Sequence, residues 1–594
     1  MGREDSHYRP DADAGRGTGR SASGGATGRF PVPDAHLPRP PASSGDREPT
    51  SGRPVPPYDR ELTPGPPAGG GVPAGLVPGG QAGPERRPPS TDLWAAAAPR
   101  PAGGPPGPGR PEPPAPTSRR RRALPVVLAT VLVLVLAAVG IAVVRPGPVA
   151  DWLGDEPTGR TTAPAAEPVP VAVLAGADAN APMPTPEGVR SALAPLVGVP
   201  ALGDRVHVSV ADVATGQPLF GLGEDAGTVP ASVTKLVTGV TVLAARGPAY
   251  RIPTRAVSGA APGEVVIVGG GDPTLAVDRK GFYPGAARLD DLAAQVRDAL
   301  GGAKPTKVTV DSSLYSGPVF EPGWDDDIPT GGYGGAITAL MTDGARSDVT
   351  RAKKDGADGN HWAERVSRPD LAAGRAFARL LGVPAGAVAR GTAPAAGTAT
   401  PGPGAELGRV ESLPMVRLVD IMISDSDNIV AEALARQVAL ARNEPASFAG
   451  AGAAMDAVAA ELGLPADELT LADGSGLSRS NRISPSLLTD LIALAGDGSR
   501  PELAAIFGGL PVARWSGTLA DRFETAATRA GAGVVRAKTG TLTKVHAIAG
   551  LVSTGDGRLL TFAVLTDEVP PDGLTAARAA LDRIGAALAG CGCR

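Results

Sequence analysis

The sequence predicts a mixed fold of the α/β (α+β) class, beginning near Glu187. Three observations carry that expectation. Period-two alternation over Arg205 to Val213, with Val206, Val208 and Val210 against His207 and Ser209, reads as a strand, and Gly216-Gln217 turns it into a second strand at Pro218 to Leu222. Apolar runs long enough for helices follow, beginning with Leu236 to Ala244 and ending with Thr575 to Leu588. Two strands, Val545 to Ser553 and Leu559 to Thr566, precede that last helix, so strands open and close the folded part.

What comes before Glu187 has a different character. Residues 1–118 hold 27 Pro and 21 Gly without a period, a composition that forms no core and predicts a disordered tail. A plain solvated tail is the simpler reading and Pro-rich docking of cytoplasmic protein partners the alternative, while its Pro-Pro pairs favour only extended conformations. Arg119 to Arg122 then precede Ala123 to Val144, a run of 22 uncharged residues. As a helix it spans about 33 Å, enough for a hydrocarbon core of about 30 Å. Four arginines stand before it and only Arg145 after it, so residues 119–145 read as an uncleaved single-pass anchor. The tail is then cytoplasmic and the folded part lies outside the membrane. Residues 146–186, rich in Pro and Ala, read as a linker. A net charge of −4 with no basic stripe points to no nucleic-acid partner. Cys591 and Cys593 stand one residue apart, where a mutual disulfide is strained, and read as a mobile unpaired tail.

Within the folded part the first candidate chemistry is Ser232-Val233-Thr234-Lys235 at the start of an apolar run. On a helix, i and i+3 share a face, so the lysine amine can reach the serine hydroxyl and act as its base once uncharged. A surface Ser and Lys near a helix start is the plainer reading of this motif alone. The chain has 8 lysines against 49 arginines, the bias of a GC-rich genome, which makes each lysine informative.

Arg255 to Val268 has strand character and runs into Gly269-Gly270-Gly271-Asp272, a glycine turn and not a phosphate loop, since no Gly-Lys-Ser/Thr follows. The first part of the domain is therefore taken as 187–280, and 281–405 as an inserted domain. There, helical segments at Arg288 to Leu300 and Pro369 to Leu381 flank Val308 to Asp311. Nothing in it looks catalytic. His361 and Asp325 to Asp327 read as solvated surface, because no second ligand stands at metal spacing, and no metal or cofactor is expected.

The second part, 406–590, carries the remaining motifs. Ser426-Asp427-Asn428 offers a hydroxyl and an amide two residues apart, one able to relay a proton and the other to hold a carbonyl, although an N-cap for the helix from Ile429 to Leu440 explains it equally well. Asp473 to Arg479 is a tight polar turn, and Ser484-Pro485 opens a further helix. Val534 to Ala537 reads as a strand ending in Lys538-Thr539-Gly540-Thr541, where glycine lets another backbone approach and lysine and threonines can meet a carboxylate.

S-x-x-K, S-x-N and K-T-G in this order are the signature of penicillin-binding proteins and class A β-lactamases. Over residues 187 to 590 the chain resembles the serine D-alanyl-D-alanine carboxypeptidases of the penicillin-binding protein 4 type, peptidase family S13. Gly269 to Leu275 (GGGDPTL), Asp311 to Pro318 (DSSLYSGP), Asp473 to Arg479 (DGSGLSR) and the long gap from Ser232 to Ser426 carry the likeness. It implies a transpeptidase/β-lactamase-like antiparallel sheet flanked by helices, with a domain inserted after S-x-x-K. It also implies Ser232 as nucleophile, Lys235 as base, Ser426 and Lys538 as proton relay and Asn428 on the acyl side chain. Thr539, Gly540 and Thr541 then bind substrate. The implied substrates are peptidoglycan stem peptides ending in D-Ala-D-Ala, with D-Ala cross-links a further possibility and β-lactams as inhibitors. Two alternatives stay open, a β-lactamase and a non-catalytic penicillin-binding sensor or scaffold.

Overall fold

The computed structural model describes residues 180–357, 362–395 and 402–594. The expected tail, the anchor at 119–145, most of the linker and His361 lie outside the described residues. Among those described, no helix is long and apolar enough to cross a membrane.

Helix α1 (Pro186–Val197) leads into the main sheet, whose strands are β1 (Val206–Asp212), β2 (Pro218–Leu222), β10 (Val535–Leu542), β11 (Val545–Ser553) and β12 (Leu559–Thr566). Their order is β10-β11-β12-β1-β2, antiparallel throughout, as expected. The two faces differ in side-chain size. Ile548, Val552, Phe562 and Val564 pack toward α1 and the closing helix α10 (Leu574–Ala589). Ala547, Ala549 and Ala563 point the other way, into the core shared with the central helix α2 (Thr234–Arg246), where α9 (Pro485–Gly496) lies on β12 and β1. Both faces are covered, so β1 is almost wholly buried despite its sequence alternation. Each buried Val, Leu or Phe contributes about 1.5–3 kcal/mol.

Every residue of α2 from Thr234 to Leu243 is buried. It is surrounded by α6 (Met415–Ser424), α7 (Asn428–Ala441), α8 (Phe448–Glu461) and α9 (Pro485–Gly496). Gly239 brings it against Val419, Ile423 and Ile506, and its buried Thr238 donates to the Gly474 carbonyl at 2.7 Å. A helix buried all round is a scaffold on which a side chain at its first turn is held still.

A second sheet has the order β6-β5-β4-β3-β7, built from β3 (Pro253–Ser258), β4 (Glu264–Val268), β5 (Lys307–Asp311), β6 (Val388–Arg390) and β7 (Glu406–Glu411), and β8 (Leu469–Thr470) with β9 (Arg482–Ile483) forms a two-stranded third. Helices α3 (Leu289–Ala299) and α5 (Pro369–Leu380) enclose a separate core with it, while α4 (Val349–Ala357) lies in the connection between them. The inserted body therefore runs from about 253 to 411, wider than the 281–405 expected. The pattern of β3 and β4 shows that they are strands, but only the pairing of β3 with β7 and β4 with β5 assigns them to the insertion.

The expected mobile C-terminus is also corrected. The Cys593 carbonyl accepts from the Thr185 N–H at 2.7 Å, Cys591 is buried against the α1–α10 core, and the two cysteines pair as a disulfide.

Candidate active site

Ala231–Val233 form a 3-10 turn that α2 continues, and Ala231 takes the left-handed conformation, φ +47°. This sharp entry aims Ser232 into a cleft of about 830 Å³. One turn on, Lys235 Nζ lies 3.0 Å from Ser232 Oγ and donates to Asn428 Oδ1 and to the Ser475 carbonyl, both at 2.6 Å. Lys235 is fully buried. Burial pushes its amine down to about 8, against the upward pull of Asp473, Glu432 and Asp427. Near neutral pH a fraction is then uncharged and able to take a hydroxyl proton.

Between α6 and α7 stand Ser426, left-handed at φ +56°, and Asp427. Asp427 Oδ1 caps α7, accepting from the N–H groups of Ile429 at 3.0 Å and Val430 at 3.2 Å. The helix-cap reading and the site reading therefore hold together, because the cap at the centre fixes Ser426 and Asn428 at the cleft. The second Asp427 oxygen accepts from Tyr283 Oη at 2.7 Å and Arg346 at 3.0 Å. Burial alone would raise this carboxyl, but Arg346 and Arg365 hold it well below the usual carboxylate range. Asn428 Nδ2 donates to the Tyr333 carbonyl at 2.9 Å, so its amide is held at both ends.

On the edge strand β10, Lys538 Nζ donates to Ser426 Oγ at 2.9 Å and to the Thr539 carbonyl at 2.8 Å. Burial, and then the neighbouring Lys235, push it well below its ordinary value. Two buried amines sharing a cleft resist being charged together. At Gly540 a Cβ would stand 2.7 Å from the Pro230 carbonyl oxygen and 3.0 Å from the Ser232 nitrogen, so glycine is what lets the strand approach Ser232. Thr539 Oγ1 is 3.0 Å from Thr518 Oγ1, and Thr539 and Thr541 line the cleft. Ser232, Lys235, Ser426, Asn428, Lys538, Thr539, Gly540 and Thr541 are thus brought to one place.

Sequence reasoning marked the Asp473 to Arg479 turn and a helix cap at Asp427 but gave neither a part in holding these residues. The Ser475 carbonyl on Lys235 is fixed by Glu432, which accepts from the N–H groups of Ser475 at 2.9 Å and Gly474 at 3.2 Å and is raised to about 7 by burial and Asp473. Asp473 in turn accepts from the Gly476 and Ser478 N–H groups at 2.7 Å and from Trp324 Nε1 at 2.8 Å. The available signal was the DGSGLSR turn, polar yet buried. Tyr333 and Arg346 gave none. Asp325, expected as solvated surface, is ion-paired with Arg479 at 2.7 Å and lines the cleft with Asp327.

A family model described as D-Ala-D-Ala carboxypeptidase 3 (S13) matches residues 189–363 and 355–588. The chain belongs to this S13 family. A carboxypeptidase of Mycobacterium tuberculosis is 38% identical over 445 residues, 73% of this chain and 90% of that protein. The carboxypeptidase DacB of Mycolicibacterium smegmatis is 37% identical over 421 residues, 70% of this chain and 87% of that protein. Penicillin binding protein 4 of Haemophilus influenzae shares the fold of this S13 member, with a TM-score of 0.54 at 20% identity, covering 67% of this chain and 97% of that one. The family, the fold class and the enzyme class expected from the sequence, a serine-type D-Ala-D-Ala carboxypeptidase, are borne out.

Proposed function

We propose that this S13 member cleaves the terminal D-Ala-D-Ala bond of peptidoglycan stem peptides through an acyl-enzyme on Ser232, and that β-lactams acylate the same serine. The observation that carries the reading is the buried Lys235 amine, lowered to about 8 and 3.0 Å from Ser232 Oγ. Lys235 takes the hydroxyl proton as Oγ attacks the carbonyl between the two D-alanines. The backbone N–H groups of Ser232 and Thr541 hold the oxyanion, an arrangement whose donors are each worth about 10²–10³ in rate. The C–N bond breaks as Ser426 and Lys538 pass a proton to the departing amine. Asn428 holds the amide of the acyl side chain, and Thr539 and Thr541 the terminal carboxylate. Water, deprotonated by the same base, then releases the acyl group.

Labelling the full-length protein with a fluorescent penicillin, beside Ser232→Ala, tests this. A stable adduct on the parent only, together with release of D-alanine from a D-Ala-D-Ala peptide, is expected. Rapid drug turnover would make it a β-lactamase, and no adduct on folded protein would favour a scaffold. The reading also keeps residues 119–145 as an anchor with the catalytic part outside the membrane, supported by Arg119 to Arg122 before the uncharged run. Protease added to intact spheroplasts should then remove the catalytic part and spare the tail.

A further inference from the structure

Past Thr541 the cleft continues to an end that the proposed chemistry leaves unused. Thr541 pairs across the β10–β11 ladder with His546, which is 3% exposed, lines the cleft and has no hydrogen-bond partner at Nδ1. Beside it are Arg522 and Lys544, and Arg578 from the second turn of α10. Asp521 is the carboxylate among the lining residues at this end. The cations differ in what they already do. Arg522 is held bidentate by Asp582, at 2.7 and 3.0 Å. The Arg578 carbonyl accepts from Arg522 at 3.1 Å, but its own guanidinium, on an exposed residue, makes no hydrogen bond or ion pair among the described residues, and only the field of Asp521 and Asp582 acts on it from the acidic side. Burial, then Arg578 and Arg522, push His546 down to about 4, so the ring is neutral and has one N–H to donate. With that N–H placed on Nδ1, the buried ring beside the unpaired guanidinium makes a site for an anion that this chain does not itself provide.

Thr539 and Thr541 take the main-chain carboxylate in the reading above, on which this inference rests. The next group outward is the side chain of the leaving residue. We infer that Arg578 and His546 form a subsite for a carboxylate on the leaving residue's side chain, so that the cleft prefers a leaving residue with two carboxylates to one with a single carboxylate. No covalent step is involved. The guanidinium supplies charge and a two-pronged donor, and the imidazole adds one hydrogen bond.

The test separates this subsite from the catalytic reading by measuring binding without turnover. Full-length protein carrying Ser232→Ala is titrated calorimetrically with acylated peptides ending in D-Ala-D-Glu and in the neutral isostere D-Ala-D-Gln. The Glu peptide should bind about tenfold more tightly, as a charge-assisted contact gives over a neutral one. Adding Arg578→Ala should erase that ratio and leave binding of the Gln peptide within about twofold, and Arg578→Lys should restore part of it. Equal affinities for the two peptides in the parent would overturn the subsite. So would a loss on Arg578→Ala that is equal for both, since the cation would then serve the main-chain carboxylate. Failure of the intact protein to acylate with penicillin would overturn the catalytic reading alone.

Discussion

Arg346 and Asp427 form an ion pair of 3.0 Å with both side chains buried, one from the inserted body and the other from the centre of S-x-N. The guanidinium also lies 3.6 Å over the Phe282 ring and donates to Tyr283 Oη at 2.7 Å. The inserted body therefore braces the turn that holds Ser426 and Asn428. Removing one partner of a buried pair costs about 3–5 kcal/mol, because the other charge is left without compensation. Arg346→Ala should lose about that much in denaturant unfolding and slow penicillin acylation about 10–100-fold. The double variant with Asp427→Asn should lose less than the sum of the two single changes.

The rate of acylation should rise about tenfold per pH unit up to about 8 and then level, as the Lys235 amine loses its proton. Glu432 is one of the anions that pull this amine upward, so Glu432→Gln should move the limb toward acid, and a shift toward alkali would contradict the assignment. Stability follows the same shift. Between about 8 and the free-lysine value of about 10.4 the unfolded chain binds more protons, so this group makes the fold more stable as pH rises through that window. Lys235→Met should flatten that part of the stability profile.

Gly540→Ala should act on chemistry more than on folding. The added Cβ meets the Pro230 carbonyl and the Ser232 nitrogen, so the edge strand must move away from Ser232. A fall in acylation of about 10²-fold or more is expected, the scale of losing an oxyanion donor, with a far smaller change in melting temperature. Equal acylation rates would show that the strand can dock without this approach.

Away from the cleft, Arg558 donates to Asp212 at 2.7 Å in a buried pair between the β11–β12 region and β1. Burial would raise Asp212, but Arg558 and then Thr215 hold it below its ordinary value. That stabilisation is present above the unfolded carboxyl value of about 4 and is lost as pH falls through the lowered one. Arg558→Ala should cost about 3–5 kcal/mol at pH 7 and less at pH 3, where Asp212 can be protonated. Urea melts at the two values check the difference.

The residues that meet in the cleft were legible because the proposed chemistry needs particular residues at short spacings. Ser232 and Lys235 are one helical turn apart, and Ser426 and Asn428 flank one cap. β1 was legible through period two, β11 and β12 as short apolar runs, and α10 through its longer one. What could not be read was set by distance along the chain. Nothing near β3 announces β7 as its partner, so the insertion looked shorter than it is. Nothing in Arg346 or Tyr333 announces a contact with S-x-N, because each contact joins residues 81 and 95 positions apart. Asp325 looked like surface for the same reason, since its partner Arg479 comes from another part of the fold.

The order in which a ribosome releases these strands has a cost in time. β1 lies between β2 and β12, with Val206 opposite Thr566, so its inner edge stays open until almost the whole chain has been made. The inserted body is contiguous and complete at Glu411, and it can assemble while that edge still waits. Non-local pairing of this kind is slow and leaves a hydrophobic strand exposed to wrong partners. Chains cut short before β12 should therefore accumulate a folded inserted body on an aggregation-prone stump, and rapid synthesis should yield less active protein than slow synthesis.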